Sequence, residues 1–173
     1  MSQRRLHPAP LTREAFAPYG DVIEPDDARH VEINDARFDR WVDLAKVDCG
    51  ERVKIDMIRC ANASTLPFEI TLMERHPRGS QAFVPLTSEA FTVVVAPPGD
   101  APDPAAFRAF TSDGSQGINM RPGVWHLPLV GFRVGQAFLV IDRDDPNNCD
   151  EVALTEPVIL EATQCKRGHG AAS

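Results

Sequence analysis

The sequence predicts an all-β domain, a barrel or sandwich with one or two short helices. Its β-branched and aromatic residues are gathered in short runs, as strands require. Clusters of Pro, Gly, Asp and Asn separate these runs, and the 15 prolines disfavour long helices. The chain of 173 residues is long enough to bury the core of one such domain.

The elements are predicted in chain order. Thr12 caps a short helix over residues 13–17, and a second helical turn is expected within residues 104–110. The predicted strands cover residues 21–24, 31–33, 38–44, 53–60, 68–74, 82–86, 91–96, 117–120, 124–129 and 136–142. Short strands separated by clusters of turn residues are typical of barrels and sandwiches.

The chain is expected to be one cytoplasmic domain. The barrel should cover residues 11–160, between an N-terminal arm (residues 1–10) and a flexible C-terminal tail (residues 161–173). The N-terminus lacks the apolar segment of a signal peptide, and no apolar run is long enough to cross a membrane. The four cysteines are scattered along the chain and predict no disulfide framework.

The charge of the chain excludes some partners. A net charge of −7, from 18 Lys and Arg against 25 Asp and Glu, disfavours binding to nucleic acid or to an anionic membrane. A small anionic substrate still fits, because one cation at short range outweighs the overall sign. We therefore expect a protein that acts on, or binds, a small molecule.

The most informative residues end the strand predicted at 68–74. Unbroken alternation along this strand would put Glu74 and His76 on its apolar face. A carboxylate and an imidazole are costly to bury there unless they have partners. His126, which follows a Pro-Gly turn, and the amide of Gln81 are candidate partners. From the residues alone, these four side chains predict either a metal site or a metal-free acid–base site.

The residues around Glu74 and those before His126 form two motifs that resemble the motifs of cupin barrels. Glu74 and His76, followed by Gln81, stand where cupins carry two histidines and a glutamate, and residues 117–126 resemble the second cupin motif, which ends in a histidine. At the family level the chain resembles the ureidoglycolate lyases, formerly called ureidoglycolate hydrolases. The matching stretches are residues 11–24, 33–34, 40, 43–45, 74–85, 91–96, 108–110, 116–119, 124–126, 142–143 and 148–150. The Glu-Arg-His-Pro block at residues 74–77 is the most specific of them.

The resemblance implies a reaction and a site. It implies a homodimeric, cupin-like enzyme of allantoin (purine) degradation, which splits ureidoglycolate into glyoxylate and urea. It also implies a divalent metal, which we expect to be nickel, held by Glu74, His76, Gln81 and His126. The catalytic residues would be His76, Glu74 and His126. The chemistry suits them, because loss of urea from a carbinolamine requires a base for the hydroxyl proton and an acid for the departing nitrogen.

Three residues are predicted to hold the substrate: Arg59, Gln81 and Tyr19. Arg59 lies on the apolar face of the strand predicted at 53–60, which we expect to point into the core. Its planar guanidinium matches the two oxygens of a carboxylate. The hydroxyl of Tyr19 needs a partner when it is buried, and a substrate can provide one.

Two alternatives stay open beside the lyase. One is another metal-dependent cupin enzyme that acts on a small hydroxy acid. The other is a cupin that binds a small molecule without turning it over. The chain departs from the family pattern at Ala36, where we expect glycine, and at Leu127, where a second histidine often follows the first.

The expected homodimer rests mainly on the family resemblance. The apolar run at residues 91–96 supports the homodimer further. If this run formed a sheet edge, a monomer would have to protect it from pairing with other chains.

Overall fold

The computed structural model of the chain describes residues 3–163. Strands make up nearly all of the regular secondary structure in this range, so the all-β prediction is confirmed. The strands are β1 (Arg5–Leu6), β2 (Ala9–Pro10), β3 (Gly20–Ile23), β4 (His30–Ile33), β5 (Phe38–Trp41), β6 (Val53–Arg59), β7 (Phe68–Arg75), β8 (Gln81–Pro85), β9 (Thr92–Ala96), β10 (Arg108–Thr111), β11 (Gly117–Met120), β12 (Trp125–His126), β13 (Ala137–Arg143) and β14 (Asp150–Leu160). One helix, α1 (Arg13–Phe16), and short 3₁₀ turns at Asp27–Arg29 and Pro104–Ala106 complete the secondary structure of the described residues.

Two sheets face each other and enclose the core. The seven-stranded sheet has the order β1-β14-β7-β12-β9-β10-β2, and the five-stranded sheet has the order β3-β11-β8-β13-β6. Strands β4 and β5 form a separate hairpin. This arrangement of mostly antiparallel strands in two layers is cupin-like, as the sequence predicts.

The core between the sheets is one cluster of apolar side chains. The ring of Phe138 meets those of Phe83 and Phe91 edge to face, with centroids 6.4 and 5.3 Å apart. The whole cluster comprises Leu11, Phe16, Tyr19, Val22, Phe83, Phe91, Val93, Val95, Phe110, Ile118, Met120, Val124, Phe138 and Val140. Burial stabilises by about 1.5–3 kcal/mol for each large side chain, and this holds the two sheets together.

Strand β9 is buried on both of its faces. Val93 and Val95 belong to the core between the sheets, whereas Val94 and Ala96 belong to a second cluster on the outer side of the seven-stranded sheet. The strand lies between β12 and β10. The expectation that residues 91–96 form a sheet edge is therefore wrong, and this run gives no support to a dimer.

Two segments differ from their predicted structure. The helical turn predicted within residues 104–110 is limited to Pro104–Ala106, and β10 follows it. Ala109 enters the outer cluster and Phe110 the core between the sheets, which is the period-two pattern of a strand. Strand β14 is not among the predicted strands, because a polar stretch with a proline at residues 155–157 interrupts its alternation.

The pairing of β7 with β14 contains an irregularity that turns the site residues inward. The register of β14 against β7 shifts between Ala153 and Val158. Across this shift Ile70 and Met73, which are three residues apart, both enter the outer cluster. The predicted unbroken alternation of this strand is therefore wrong. Glu74 follows Met73 and projects to the opposite side, toward the space between the sheets.

The apolar face of β6 is exposed. Val53, Ile55 and Met57 are 54%, 64% and 67% exposed. They pair with residues of β13 that point away from the core, because the intervening Phe138 is one of the side chains that fill it. The expectation that this face points into the core is wrong, and it was the reason for placing Arg59 in the site.

The N-terminal residues extend the seven-stranded sheet. β1 pairs in parallel with β14, and β2 pairs in parallel with β10. The predicted arm (residues 1–10) thus contains two short strands, and the domain boundary at residue 11 stays a prediction. Of the predicted tail (residues 161–173), residues 164–173 lie outside the described part of the chain. Within residues 3–163 no helix is long and apolar enough to cross a membrane.

The turn of the β4–β5 hairpin predicts a stabilising substitution. Asn34, Asp35 and Ala36 have φ angles of 55°, 56° and 56°. Asn and Asp tolerate this left-handed conformation, but alanine adopts it only with strain. We expect Ala36→Gly to raise the free energy of unfolding in urea by roughly 0.5–1 kcal/mol. Ala61→Gly, at an exposed alanine without positive φ, should lower it; equal effects of both changes would contradict the prediction.

Candidate metal centre

Three connections between the two sheets meet at one end of the barrel. They join β7 to β8, β11 to β12, and β13 to β14. The strand ends beside them are neighbours, since His126 pairs with Glu74 in one sheet and Gln81 with Met120 in the other. This end of the barrel therefore collects most of the polar residues predicted for the site.

Glu74, His76 and His126 form a compact cluster on the inner face of the seven-stranded sheet. Glu74 Oε1 lies 3.2 Å from His126 Nε2 and 4.0 Å from His76 Nε2. The two imidazole rings stack with centroids 5.3 Å apart and an interplanar angle of 29°. Their ligand atoms all lie within 4.8 Å of one another. The structure thus brings these three predicted residues together.

The hydrogen bonds of the imidazoles determine which nitrogen is free. His76 Nδ1 lies 2.6 Å from the carbonyl oxygen of Asn148, and His126 Nδ1 lies 3.0 Å from that of Val124. A carbonyl oxygen only accepts, so each Nδ1 carries a hydrogen and donates it. In the neutral rings both Nε2 atoms are then bare acceptors. Both are buried, and neither has a hydrogen-bond partner among the described residues.

Three acceptors therefore converge at this point: Glu74 Oε1 and the Nε2 atoms of His76 and His126. Their lone pairs repel one another in a site that excludes most water, unless a cation lies among them. A divalent metal ion or a proton meets this need. Two imidazole nitrogens and a carboxylate oxygen suit a borderline transition metal, so the donor set fits the predicted metal.

Glu74 and Cys149 differ in their ionisation. Burial opposes the ionisation of Glu74. When the imidazoles are protonated, the hydrogen bond and charge of His126 and the charge of His76 lower the pKa of Glu74 below its ordinary value. Cys149 Sγ lies 3.9 Å from Glu74 Oε2. Burial and the charge of Glu74 raise the pKa of Cys149 to about 11. Cys149 is therefore a neutral thiol that donates to Glu74, and it is unsuited to act as a nucleophile.

The connection between β7 and β8 is tied to both neighbouring connections. The N–H of Gly123 donates to the carbonyl oxygen of His76 at 2.9 Å. Gly123 has a φ of 79°, which favours glycine and explains the Pro-Gly turn before His126. On the other side, the N–H of Arg78 donates to Asn148 Oδ1 at 2.7 Å. These bonds hold His76 from two sides.

Gln81 and Asp142 lie on the opposite wall of the barrel. They are 8% and 7% exposed, and alternation with Phe83 and Val140 places them on the inner face of the five-stranded sheet. Gln81 Nε2 donates to Asp142 Oδ2 at 3.3 Å. Gln81 Oε1 is buried and has no hydrogen-bond partner within residues 3–163. Gln81 thus keeps one free acceptor, and its role as a metal ligand stays a prediction.

The other two predicted substrate contacts are Tyr19 and Arg59, and the role of Tyr19 stays a prediction. Tyr19 is 7% exposed and packs in the core against Phe110, with ring centroids 6.0 Å apart. Arg59 is exposed and pairs with Ala137, five residues along β13 from Asp142. At about 3.3 Å per residue, this is roughly 17 Å from the end that carries the cluster. The single chain does not bring Arg59 to the cluster, so its clamp role stays a prediction without support from this structure.

Sequence reasoning missed Asn148 and Asp142. Asn148 lies in the polar stretch 144–148, which is typical of an exposed turn, yet it is only 3% exposed. Its contact with His76 is made by a backbone carbonyl, and such a contact leaves no signal in the sequence. Asp142 could have been found, because the alternation of β13 puts it on the same face as Val140.

Fold and cluster together define a cupin-like barrel with a histidine–carboxylate centre on its inner face. The chain belongs to the ureidoglycolate lyase family, whose model matches residues 3–161. Curated relatives named ureidoglycolate lyase include one from Pseudomonas syringae pv. syringae (strain B728a), 47% identical over 91% of this chain and 94% of its own length. Another, from Stutzerimonas stutzeri (strain A1501), is 46% identical over 95% of this chain and 99% of its own. A third, from Burkholderia mallei (strain NCTC 10229), is 48% identical over 87% of this chain and 90% of its own length.

The geometry predicts the tautomer of His76. In metal-free protein at about pH 8, where an imidazole is ordinarily neutral, we expect the hydrogen on Nδ1 and a bare Nε2. A two-bond ¹H–¹⁵N correlation spectrum of protein labelled at histidine distinguishes the two tautomers. A hydrogen found mainly on Nε2 would rule out the hydrogen bond from His76 Nδ1 to the carbonyl oxygen of Asn148.

Proposed function

We propose that this protein is a ureidoglycolate lyase, which cleaves ureidoglycolate to glyoxylate and urea. The observation that carries the proposal is the convergence of Glu74 with the bare Nε2 atoms of His76 and His126 inside the barrel. Membership of the family supports it, since relatives that are 46–48% identical carry this name. The reaction also needs the type of group that this cluster offers.

The proposed reaction moves one proton within the substrate. A single carbon of ureidoglycolate bears a hydroxyl, a carboxylate and a nitrogen of urea. The hydroxyl loses its proton as the carbonyl of glyoxylate forms, the carbon–nitrogen bond breaks, and the nitrogen gains a proton as urea leaves. A positioned acid–base group typically contributes about a hundred- to ten-thousandfold to the rate of such a step.

Glu74 is the group to which we assign this proton transfer. Positive charge on the neighbouring histidines lowers the pKa of Glu74, which favours the ionised carboxylate that can accept a proton. Its Oε1 atom faces the imidazole of His126, whereas Oε2 faces the thiol of Cys149. Oε2 would take the hydroxyl proton and return it to the departing nitrogen. The bare Nε2 atoms of His76 and His126 would bind the same cation as Oε1 and so hold Oε1 in place.

The same cluster would hold the divalent metal. Glu74, His76 and His126 offer one oxygen and two nitrogens, and Gln81 is the predicted fourth ligand. A bound ion would lower the pKa of the substrate hydroxyl and so ease its deprotonation. The donor set favours a transition metal, and the family resemblance leads us to propose nickel.

The substrate of the proposed reaction is a small anion, whereas the protein carries a net charge of −7. A local cation must therefore hold the substrate carboxylate, either the metal or the predicted Arg59. On the opposite wall, Gln81 Oε1 would accept an N–H of the urea group while Asp142 holds the Gln81 amide. The proposed function involves no nucleic acid. A cytoplasmic location and a role in allantoin (purine) degradation belong to it.

We also propose that the protein is a homodimer that pairs through β6. This strand is the last of the five-stranded sheet, and within residues 3–163 no further strand pairs with its free edge. Its side chains Val53, Ile55 and Met57 are more than half exposed. An exposed edge strand with an apolar face invites pairing with another chain. A second copy would cover this face as part of an interface of about 1,200–2,000 Å², the size typical of stable complexes.

The lyase proposal predicts the effect of His126→Ala. Loss of this imidazole should lower kcat/KM for urea release from ureidoglycolate by about a hundredfold or more, since it removes the partner of the Glu74 carboxylate. Binding of nickel(II), measured by calorimetry, should weaken as well. His30→Ala is the matched control, because His30 pairs with Asp39 in the separate hairpin. Normal turnover by His126→Ala, or no urea release by the unaltered protein, would refute the proposal.

The dimer proposal predicts the effect of charge on the outer face of β6. Ile55→Glu and Met57→Glu should each yield a folded monomer, because a carboxylate in an apolar interface is desolvated without a partner. Light scattering coupled to size-exclusion chromatography measures the mass. Lys54→Glu, on the other face of the same strand, should leave the dimer intact. Monomeric unaltered protein would contradict the proposal.

A further inference from the structure

Asn148 lies where the connection between β13 and β14 passes the metal centre. The residue is 3% exposed. Its carbonyl oxygen accepts a hydrogen bond from His76 Nδ1 at 2.6 Å, and its side-chain Oδ1 accepts one from the N–H of Arg78 at 2.7 Å. Asn148 is thus bonded twice to the connection between β7 and β8, at positions two residues apart.

We infer that Asn148 is a positioning residue that keeps the Nε2 atom of His76 bare and directed at Glu74. The accepting carbonyl holds the hydrogen on Nδ1, which leaves the lone pair on Nε2. If the carbonyl moved away, water would bond to the ring and the hydrogen would redistribute between the two nitrogens. The bond from Arg78 to Asn148 Oδ1 prevents that movement, because it anchors the same residue to the same connection.

The turn around Asn148 is held in shape by Asp145. The N–H of Asn148 donates to the carbonyl oxygen of Asp145 at 3.1 Å, and the N–H of Asn147 donates to its carboxylate at 2.9 Å. The same carboxylate pairs with Arg78 at 3.1 Å. The turn and the connection that carries His76 are therefore cross-linked at more than one point. Partners of this kind typically change metal affinity by about 10–100-fold.

This inference rests on the proposed metal site, but its failure can be told apart from a failure of the lyase proposal. The tautomer of His76 is measured in metal-free protein and needs neither metal nor turnover. The tautomer result would still decide the role of Asn148 if the reaction were a different one. Conversely, if Asn148 has no influence on the tautomer of His76, the test of the lyase proposal with His126→Ala is still valid.

The test compares Asn148→Ala with Asn147→Ala. In metal-free Asn148→Ala at about pH 8, the two-bond ¹H–¹⁵N spectrum should show His76 as a mixture of tautomers instead of the Nδ1–H form. Its affinity for nickel(II), measured by calorimetry, should fall about ten- to a hundredfold. Asn147 is exposed in the same turn, so Asn147→Ala should change neither quantity.

Asn148→Asp tests the acceptor by itself. It keeps an oxygen for the N–H of Arg78 and loses Nδ2, which has no hydrogen-bond partner among the described residues. It should retain the Nδ1–H tautomer of His76 and bind nickel(II) within a few-fold of the unaltered protein. An unchanged tautomer and nickel affinity in Asn148→Ala would overturn the inference. If Asn148→Ala does not fold, a redistributed His76 tautomer in Asn148→Asp would overturn it instead.

Discussion

Three hydrogen-bond acceptors face one another at one end of this barrel, and the rest of the site depends on that contact. Glu74 Oε1 and the Nε2 atoms of His76 and His126 repel unless positive charge lies among them. Holding them together costs stability, which the apolar core between the sheets offsets. The same repulsion would favour a cation among these three atoms. The proposed metal ion and the proposed transferred proton would therefore satisfy the same electrostatic need.

Backbone carbonyls set the direction of both imidazoles. Val124 and Asn148, which accept from His126 and His76, belong to connections that cross between the two sheets. The direction of each ring therefore depends on the register of the strands that these connections join. A slip of one residue in β7 would turn Glu74 to the outer side of the sheet and separate it from His126. The stability of the sheets and the chemistry of the site are thus linked.

The two walls of the barrel contribute different chemistry. The seven-stranded sheet supplies the charged and basic groups around Glu74, and positive charge on the histidines lowers the pKa of its carboxyl group. The five-stranded sheet supplies the neutral amide of Gln81, held by Asp142 and left with one free acceptor. A small polar molecule between these walls would meet acid–base groups on one side and an orienting hydrogen bond on the other. This division suits a substrate that must be both held and split.

The site residues Glu74, His76 and His126 were predicted from the motifs of a resembling family, since the alternation expected along their strand is broken in the structure. Local pattern in the sequence determined the all-β class and the helix cap at Thr12. These features depend on neighbours a few residues away, so periodicity and turn chemistry suffice to predict them. Only the tertiary structure decided which faces are buried. The face of β6 is exposed and β9 is internal because burial depends on which strands and sheets lie beside each face. The register shift opposite β14 and the carbonyl contact of Asn148 arise between segments more than 70 residues apart in sequence, where local periodicity carries no information.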